Sequence, residues 1–185
     1  GVIASAYYDA TVENAGSIVA NGYSGAYGVR ATASAAEGHV SVTNYETGSI
    51  EAEALLAVGV YAGGYDVDVS NAGSIDASSD VFAIGVEALA GYAEVSNSGS
   101  ISVDSSLVAV GILAAGASCV DVANSGSIDA TGNVAVGVQV SGQDLAVTNA
   151  EAGTIDVTGY ASAAGINLNG LYVHAYNYGD ITVLA

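Results

Sequence analysis

The sequence lacks proline, methionine, tryptophan and lysine, and it has a single cysteine, a single phenylalanine and a single arginine. Because Cys119 is alone, no intrachain disulfide forms, and we expect its side chain to fill a small apolar space. The absence of lysine and the low content of leucine remove good helix formers. With 51% apolar residues, the chain is expected to fold as a single domain over residues 1–185, built from strands and turns.

Positive charge is almost absent, because one arginine stands against 19 aspartate and glutamate residues. The formal net charge of −18 argues against nucleic-acid binding by phosphate neutralisation and against docking on an anionic membrane. The longest run of apolar residues and glycine, 54–65, is too short to cross a bilayer. The composition therefore predicts no nucleic-acid partner, no membrane insertion and a surface that attracts cations.

One short motif recurs along the chain: an asparagine, then a glycine, then an isoleucine two residues after the glycine. After a first interval of 32 residues, the isoleucines recur every 25 to 27 residues. They are Ile18, Ile50, Ile75, Ile101, Ile128, Ile155 and Ile181. The asparagines are Asn14, Asn44, Asn71, Asn97, Asn124, Asn149 and Asn177. Self-similarity at this period predicts a solenoid.

Apolar and polar residues alternate inside each repeat, as Val120, Val122 and Ile128 show in the fifth one. A period of two is typical of strands, and each repeat divides into about three short strands, written V-x-V-x-N, G-x-I-x-A and V-G-V-x-A. We therefore predict an all-β fold: a parallel β-helix of about seven coils of ~26 residues. The longer first interval places a surface loop around 33–38.

Stacked repeats predict columns of similar side chains along the rod. The isoleucines form one inward column, and two valine columns begin at Val12 and Val29. The asparagines are expected at a bend, where asparagine tolerates left-handed backbone angles and stacked amides hydrogen-bond along the column. Alanine and glycine are expected to form a flat outward strip on the third strand, against which a second rod can lie; the alternative is that these glycines ease a tight curve of the chain. The strip comprises Ala26, Gly28, Ala57, Gly59, Ala83, Gly85, Ala109, Gly111, Ala135, Gly137, Ala163 and Gly165.

The stretch VANSGSI at 122–128, followed by AVGV at 135–138, resembles the repeats of bacterial autotransporter passenger regions and related haemagglutinin-like β-helix surface proteins. Variants of this pattern recur along nearly the whole chain. The resemblance implies a right-handed β-helix that is secreted or displayed on the cell surface. The sequence departs from a complete autotransporter, since neither a translocator barrel nor a signal sequence is visible.

Acidic residues follow four of the isoleucines and form an outward column of Glu51, Asp76, Asp129 and Asp156. Glu51 and Asp76 are expected to lie one strand spacing apart, as are Asp129 and Asp156. Like charges directly opposite each other destabilise a sheet, so we expect Ca²⁺ or high salt to offset their repulsion. A merely solvated acidic face is the alternative, and no cofactor is required.

Catalysis is not expected, and no catalytic residue is predicted. A glycosidase needs two carboxylates across the scissile bond, for which Asp66 with Asp68, or the pair Asp129 and Asp156, would be candidates. A lyase also needs a cation to hold the substrate carboxylate, and Arg30 is the only arginine. His39 and His174 lie about five coils apart and share no site. A polysaccharide-active enzyme or carbohydrate-binding module is therefore the less favoured alternative.

Tyrosines are concentrated toward the two ends of the sequence, and aromatic residues are common in interfaces. Those expected in self-association are Tyr7, Tyr8, Tyr172, Tyr176 and Tyr178. Neither end shows an evident cap, and an uncapped parallel sheet is a template for another chain. Because no signal peptide or initiating methionine is visible, we expect a processed subunit or a window from a longer rod.

Together these features predict a non-catalytic, extracellular or cell-surface structural protein. The favoured interpretation is a subunit or segment of a fibre, sheath or adhesive rod, assembling with itself head to tail and laterally, with extracellular glycans or surfaces as further partners. The alternative is the rigid stalk of an autotransporter-like adhesin. An acidic solenoid that mimics DNA is disfavoured because the charge is spread along the length.

Overall fold

The chain forms a β-solenoid of about seven stacked coils of ~27 residues, which confirms the predicted fold class. The computed structural model describes residues 1–185, and its only regular elements are strands. They are β1 (Val2–Ala6), β2 (Asp9–Asn14), β3 (Ser17–Asn21), β4 (Ala26–Ala33), β5 (His39–Asn44), β6 (Ser49–Gly63), β7 (Asp66–Asn71), β8 (Ser74–Asn97), β9 (Ser100–Ser105), β10 (Val108–Asn124), β11 (Ser127–Asn149), β12 (Thr154–Asn177) and β13 (Asp180–Leu184). All pairings between them are parallel.

Several strands are far longer than predicted, because ladder hydrogen bonding continues around the corners of the coil. Strand β8 runs for 24 residues and takes part in three ladders in turn. Its first part pairs with β6 and β9, its middle with β6 and β10, and its last part with β7 and β10. We name these three parts of each coil the isoleucine segment, the glycine segment and the asparagine segment, after the residue that marks each.

The predicted inward columns are confirmed by the strand register. Ile50 pairs with Ile75, and Val60 pairs with Val86, each opposite its equivalent in the next coil. Side chains in these columns are buried except at the ends of the rod, and a core of 40 buried residues extends along its length. Stacked β-branched residues pack well on a pleated parallel sheet, so each coil buries the same apolar groups against its two neighbours.

The asparagines form a directional ladder of amides. Each Nδ2 except that of Asn177, the last in the column, donates to Oδ1 of the asparagine in the next coil at 2.8–2.9 Å. The same Nδ2 also reaches backbone carbonyls, which for Asn97 are those of Gly99 at 3.4 Å and Ser127 at 3.1 Å. Asn97 is only 2% exposed, and no buried side-chain nitrogen or oxygen in the chain lacks a partner. The ladder therefore satisfies a polar column inside an apolar core.

Left-handed backbone angles do not explain the asparagines, and this expectation is wrong. No residue of the chain, glycine included, has a positive φ. Asparagine is suited to the corner because its amide is both donor and acceptor, so one column can extend through any number of coils.

Replacing one amide in the middle of the ladder is expected to destabilise the rod. In Asn97→Ala, Asn71 Nδ2 loses its closest acceptor, and Asn124 Oδ1 is left without a donor inside the core. An unsatisfied buried polar group costs about 1–3 kcal/mol, so we expect a loss of this order in the free energy of unfolding. Denaturant unfolding followed by circular dichroism measures it.

The matched control is Asn133→Ala, since Asn133 is exposed and lies outside the ladder. Equal stability of the two variants would show that the amide column contributes nothing.

Alanine and glycine of the glycine segment point inward, so the predicted outward strip is wrong. Ala83 and Ala109 are fully buried. A Cβ on Gly85 would collide with Cγ2 of Ile101 and with the carbonyl oxygen of Gly111. The register skips each glycine, which shows that the strand bends there and shifts the in–out alternation by one residue. The backbone itself therefore dents inward against the isoleucine column.

A methyl group at one of these glycines is expected to disrupt the coil. In Gly111→Ala, the new Cβ would collide with Cγ2 of Ile128 and would lie 2.5 Å from the carbonyl oxygen of Gly137. The backbone of Gly137 cannot move away without displacing the next coil. Overpacking of a core costs about 1–3 kcal/mol, and we expect a destabilisation at the upper end of that range. Thermal unfolding of the purified variants measures it.

Gly16→Ala is the comparison variant, because nothing lies within 4 Å of a Cβ built there. A Gly111→Ala protein as stable as Gly16→Ala would contradict the close packing of glycine on isoleucine.

Two smaller expectations have different outcomes. The surface loop is confirmed, since residues 34–38 connect β4 to β5. Cys119 is exposed in β10, so the expectation that it fills an apolar space is wrong.

The structure contains no helix long and apolar enough to cross a membrane.

Candidate functional site

The predicted acidic column is present on the outer face of the isoleucine segment, but it is interrupted. Glu51 lies opposite Asp76, and Asp129 lies opposite Asp156. Ser102 stands between Asp76 and Asp129 and separates the two pairs. No three His, Cys, Asp or Glu side chains come together in a group that could hold a metal ion. Since Ca²⁺ takes six to eight oxygen ligands, a cation bound by one pair would keep much of its water shell.

In each pair, the pKa of one carboxyl group is raised. Partial burial, and then the charge of Glu51, raises the pKa of Asp76 above its usual range. Partial burial, and then the charge of Asp156, likewise raises the pKa of Asp129. A carboxyl whose pKa is raised by folding binds its proton more tightly in the folded state, so the protein gains stability as the pH falls through that pKa.

Removing one charge of a pair is expected to stabilise the rod at neutral pH. Asp129→Asn eliminates the repulsion with Asp156, and cross-strand pairs of this kind contribute about 0.2–1 kcal/mol. The advantage should vanish in acid, where the wild-type carboxyl is protonated. Ca²⁺ or added salt should raise the Tm of the wild type more than that of the variant, because either screens the repulsion. Thermal unfolding at pH 7 and pH 3, with and without CaCl₂ or NaCl, tests this.

Asp104→Asn serves as the control, because Asp104 lies in the same segment but pairs with Ser78 and Thr131. If Asp104→Asn stabilised as much as Asp129→Asn, total charge and not the pair would be responsible. A wild-type Tm that does not change with Ca²⁺, Mg²⁺ or salt would contradict the interpretation of the column as a cation-binding face.

A longer acidic column, which the sequence analysis missed, lies on the asparagine segment. Asp68, Glu94 and Asp121 stand directly opposite one another in three successive coils. Each lies between the two inward apolar residues before its asparagine, so aligning that position would have revealed the column. The enzyme candidate Asp66 is on the same face, with its Oδ2 at 3.4 Å from Nδ1 of His39.

The five tyrosines predicted to mediate self-association form two exposed groups, one in the first coil and one in the last. Tyr7 and Tyr8 make an edge-to-face pair with ring centroids 4.7 Å apart. Tyr176 lies parallel to Tyr178, with centroids 6.5 Å apart, and Tyr172 is on the same segment. All five are 47–68% exposed. Their role in assembly stays a prediction.

An apolar groove runs along the outside of the glycine segments, and we call it the outer groove. It forms where the backbone dents inward at each glycine, so that outward side chains before and after the dent converge. Its floor consists of Val58, Ile84, Val110 and Val136. One wall contains Leu56, Phe82 and Val108, and the other contains Tyr61, Glu87 and Leu113. Although they face outward, Ile84 and Val110 are only 2% and 3% exposed.

The two charged groups of the outer groove are held in different ways. Burial raises the pKa of the Glu87 carboxyl, which lies between Tyr61 and Leu113 along its wall. The guanidinium of Arg30 lies 5.9 Å from the centre of the Tyr27 ring and 5.6 Å from that of Tyr61. At such distances a cation is attracted to the faces of both rings, which fixes Arg30 at the end of the groove near the first coil.

Comparison of the chain with protein-family models, with curated proteins and with solved structures finds no significant match. The functional interpretation therefore depends on the fold and on the surfaces described above. These are a rod of nearly identical coils, acidic outer columns, two exposed tyrosine groups and one apolar groove.

Proposed function

We propose that the chain is a non-catalytic structural rod: a subunit or segment of an extracellular fibre, sheath or adhesive surface rod that extends by stacking coil on coil. The observation that carries the proposal is the direction of the amide ladder. Asn177 donates only to Gly179 O, whereas every inner asparagine also donates to the next amide. Asn14 Oδ1 accepts only from Gly16 N, so donor and acceptor ends are complementary.

The apolar columns are complementary in the same way. A first coil placed in register on the last coil would set Asn14 on Asn177 and Ile18 on Ile181, repeating the pairings inside the rod. Ile18 and Ile181 are only partly buried in the single rod, so stacking would complete their burial. The added coil can belong to a second copy or to the same polypeptide; the latter corresponds to the stalk of an adhesin. A cell-surface or extracellular location is proposed from the resemblance to autotransporter passengers.

The substitution Asn177→Asp tests the head-to-tail contact, because it changes a single amide group of the ladder. Asn177→Asp keeps the oxygen that accepts from Asn149 but replaces the amide donor that would face Asn14 of the next copy. Because Asn177 is exposed, the variant should fold as the wild type does. We expect wild-type protein to form filaments many times longer than one rod, which at about 4.8 Å per coil measures roughly 30 Å, and Asn177→Asp to form few. Negative-stain microscopy and sedimentation measure the lengths.

Asn133→Asp introduces the same charge at an exposed position outside the ladder and should leave filaments unchanged. Wild-type rods that stay short and monomeric at high concentration would contradict the subunit proposal. Filaments that form equally well from Asn177→Asp would exclude the amide ladder as the contact.

A further inference from the structure

The tyrosines are the large side chains of this protein that its core does not use. The chain has 12 of them, and none is buried. Tryptophan and methionine, which oxidants also attack readily, are absent, and Cys119 is the only thiol. One-electron oxidation of this protein therefore falls on tyrosine, with a single cysteine as the competitor.

Tyr65 and Tyr92 form a close pair that joins two adjacent coils. The backbone nitrogen of Tyr92 donates to the carbonyl oxygen of Tyr65 at 2.9 Å, which fixes the two residues side by side. Their ring centroids are 5.5 Å apart, and the ring planes are inclined by 70°. The nearby phenol of Tyr92 raises the pKa of the Tyr65 phenol above its usual range, because the two hydroxyl groups interact.

The geometry of this pair suits the formation of a bond between the rings. Two directly bonded phenol rings are twisted relative to each other, as the rings of Tyr65 and Tyr92 already are. The rings must approach by about 1 Å, which is comparable to the thermal displacement of an exposed side chain. Tyr65 is 44% exposed and Tyr92 is 45% exposed, so both rings are free to move and an oxidant in solution reaches them.

Charge disfavours oxidation of the other tyrosine pair that joins two coils. Tyr27 and Tyr61 have ring centroids 6.0 Å apart. The guanidinium of Arg30 lies close to both ring centres, and a positive charge there opposes the removal of an electron from either ring. The remaining tyrosine pairs lie within single coils, and they are Tyr7 with Tyr8 and Tyr176 with Tyr178.

The charges near Tyr65 have the opposite sign. Besides Tyr92, the carboxylates of Glu37 and Asp66 are close enough to raise the pKa of the Tyr65 phenol further. Negative charge beside a ring favours the removal of an electron from it. Among the pairs that join coils, Tyr65 and Tyr92 therefore combine the shorter ring distance with the more favourable electrostatic surroundings.

We propose that Tyr65 and Tyr92 are a modification site, at which oxidative coupling forms a dityrosine that links two adjacent coils covalently. The oxidant is of the peroxidase class, with hydrogen peroxide as the electron acceptor. Each phenol loses one electron and one proton, and the two radicals form a carbon–carbon bond between ring positions next to the hydroxyl groups. The hydrogen on each of these carbons moves to the phenol oxygen and restores the ring, while one peroxide is reduced to two waters.

The crosslink provides a covalent link between coils that cysteine cannot provide, since a single cysteine forms no intrachain disulfide. The two tyrosines are 27 positions apart, and a crosslink that closes such a loop stabilises a protein chiefly by restricting its unfolded chain. Both residues lie in the interior of the rod, so the link forms within one copy. It goes beyond the proposed function, and it does not depend on stacking between copies.

The experiment treats dilute Cys119→Ser protein with a haem peroxidase and hydrogen peroxide. This parent variant is used because Cys119 lies opposite Tyr92 in the next coil, where its thiol would return a hydrogen atom to the radical. We expect blue dityrosine fluorescence, which is read without tryptophan emission because the chain has no tryptophan. Cleavage at aspartate and glutamate separates the two tyrosines, since Asp76 and Glu87 lie between them. Mass spectrometry should then find their peptides joined, with the loss of two hydrogen atoms.

Variants locate the crosslink. Tyr92→Phe should abolish the joined peptides and reduce the fluorescence at least twofold. Tyr45→Phe is the matched control, because Tyr45 is 45% exposed, as Tyr92 is, and takes part in no ring pair. It should leave both signals unchanged. The oxidised parent should remain a single chain on a denaturing gel, and its Tm should rise by roughly 5–10 °C.

Fluorescence that is unchanged in Tyr92→Phe would overturn the proposal, because the coupling would then lie at other tyrosines. Joined peptides that come only from different copies, with a yield that rises with protein concentration, would also overturn it. Circular dichroism before oxidation confirms that each variant retains the strand signature of the parent. Because single rods are used, the outcome is the same whether or not copies stack head to tail.

Discussion

In-register stacking is the constraint on which the rest of the structure depends. Each residue meets its equivalent one coil above and one coil below, so any chemical property of a position is repeated along the rod. Repetition favours apolar side chains such as Ile101, which gain contacts on both sides, and amides such as Asn97, which gain a donor and an acceptor. It disfavours carboxylates, which gain repulsion. A column of identical residues therefore stabilises the rod when two copies of its side chain attract each other, and destabilises it when they repel each other.

Glycine links the inside of the rod to its outside. Without a Cβ at Gly85 or Gly111, the backbone approaches the isoleucine column closely enough to exclude any side chain there. The same approach bends the strand, buries the alanine before the glycine and draws outward residues such as Ile84 into a concave surface. The absence of a Cβ at these glycines thus determines both the close packing of the core and the position of the outer groove.

The inward columns were predictable from the sequence because repetition there is chemical: valine meets valine and asparagine meets asparagine. The inward direction of the alanine and glycine positions was not predictable. Strict alternation predicts that they face outward, but the strand bends at each glycine and the alternation shifts there by one residue. The column of Asp68, Glu94 and Asp121 was available in the sequence but was obscured by the more regular position after each isoleucine. The outer groove required the structure, since it arises from the inward dent and from side chains five residues apart on its two sides.

Outward positions have no common chemistry to maintain, and most of them vary from coil to coil. Carboxylates are interrupted by Ser102 on the isoleucine segment, as repulsion requires, and the asparagine segment tolerates only three in succession. The floor of the outer groove is different, because Val58, Ile84, Val110 and Val136 keep an aliphatic character through four coils although the core does not need them. Ile84 and Val110 are nevertheless almost completely buried, because the walls of the outer groove cover them. Their sustained apolar character is therefore explained by packing against one another and against these walls, which makes the floor a second, smaller core outside the main one.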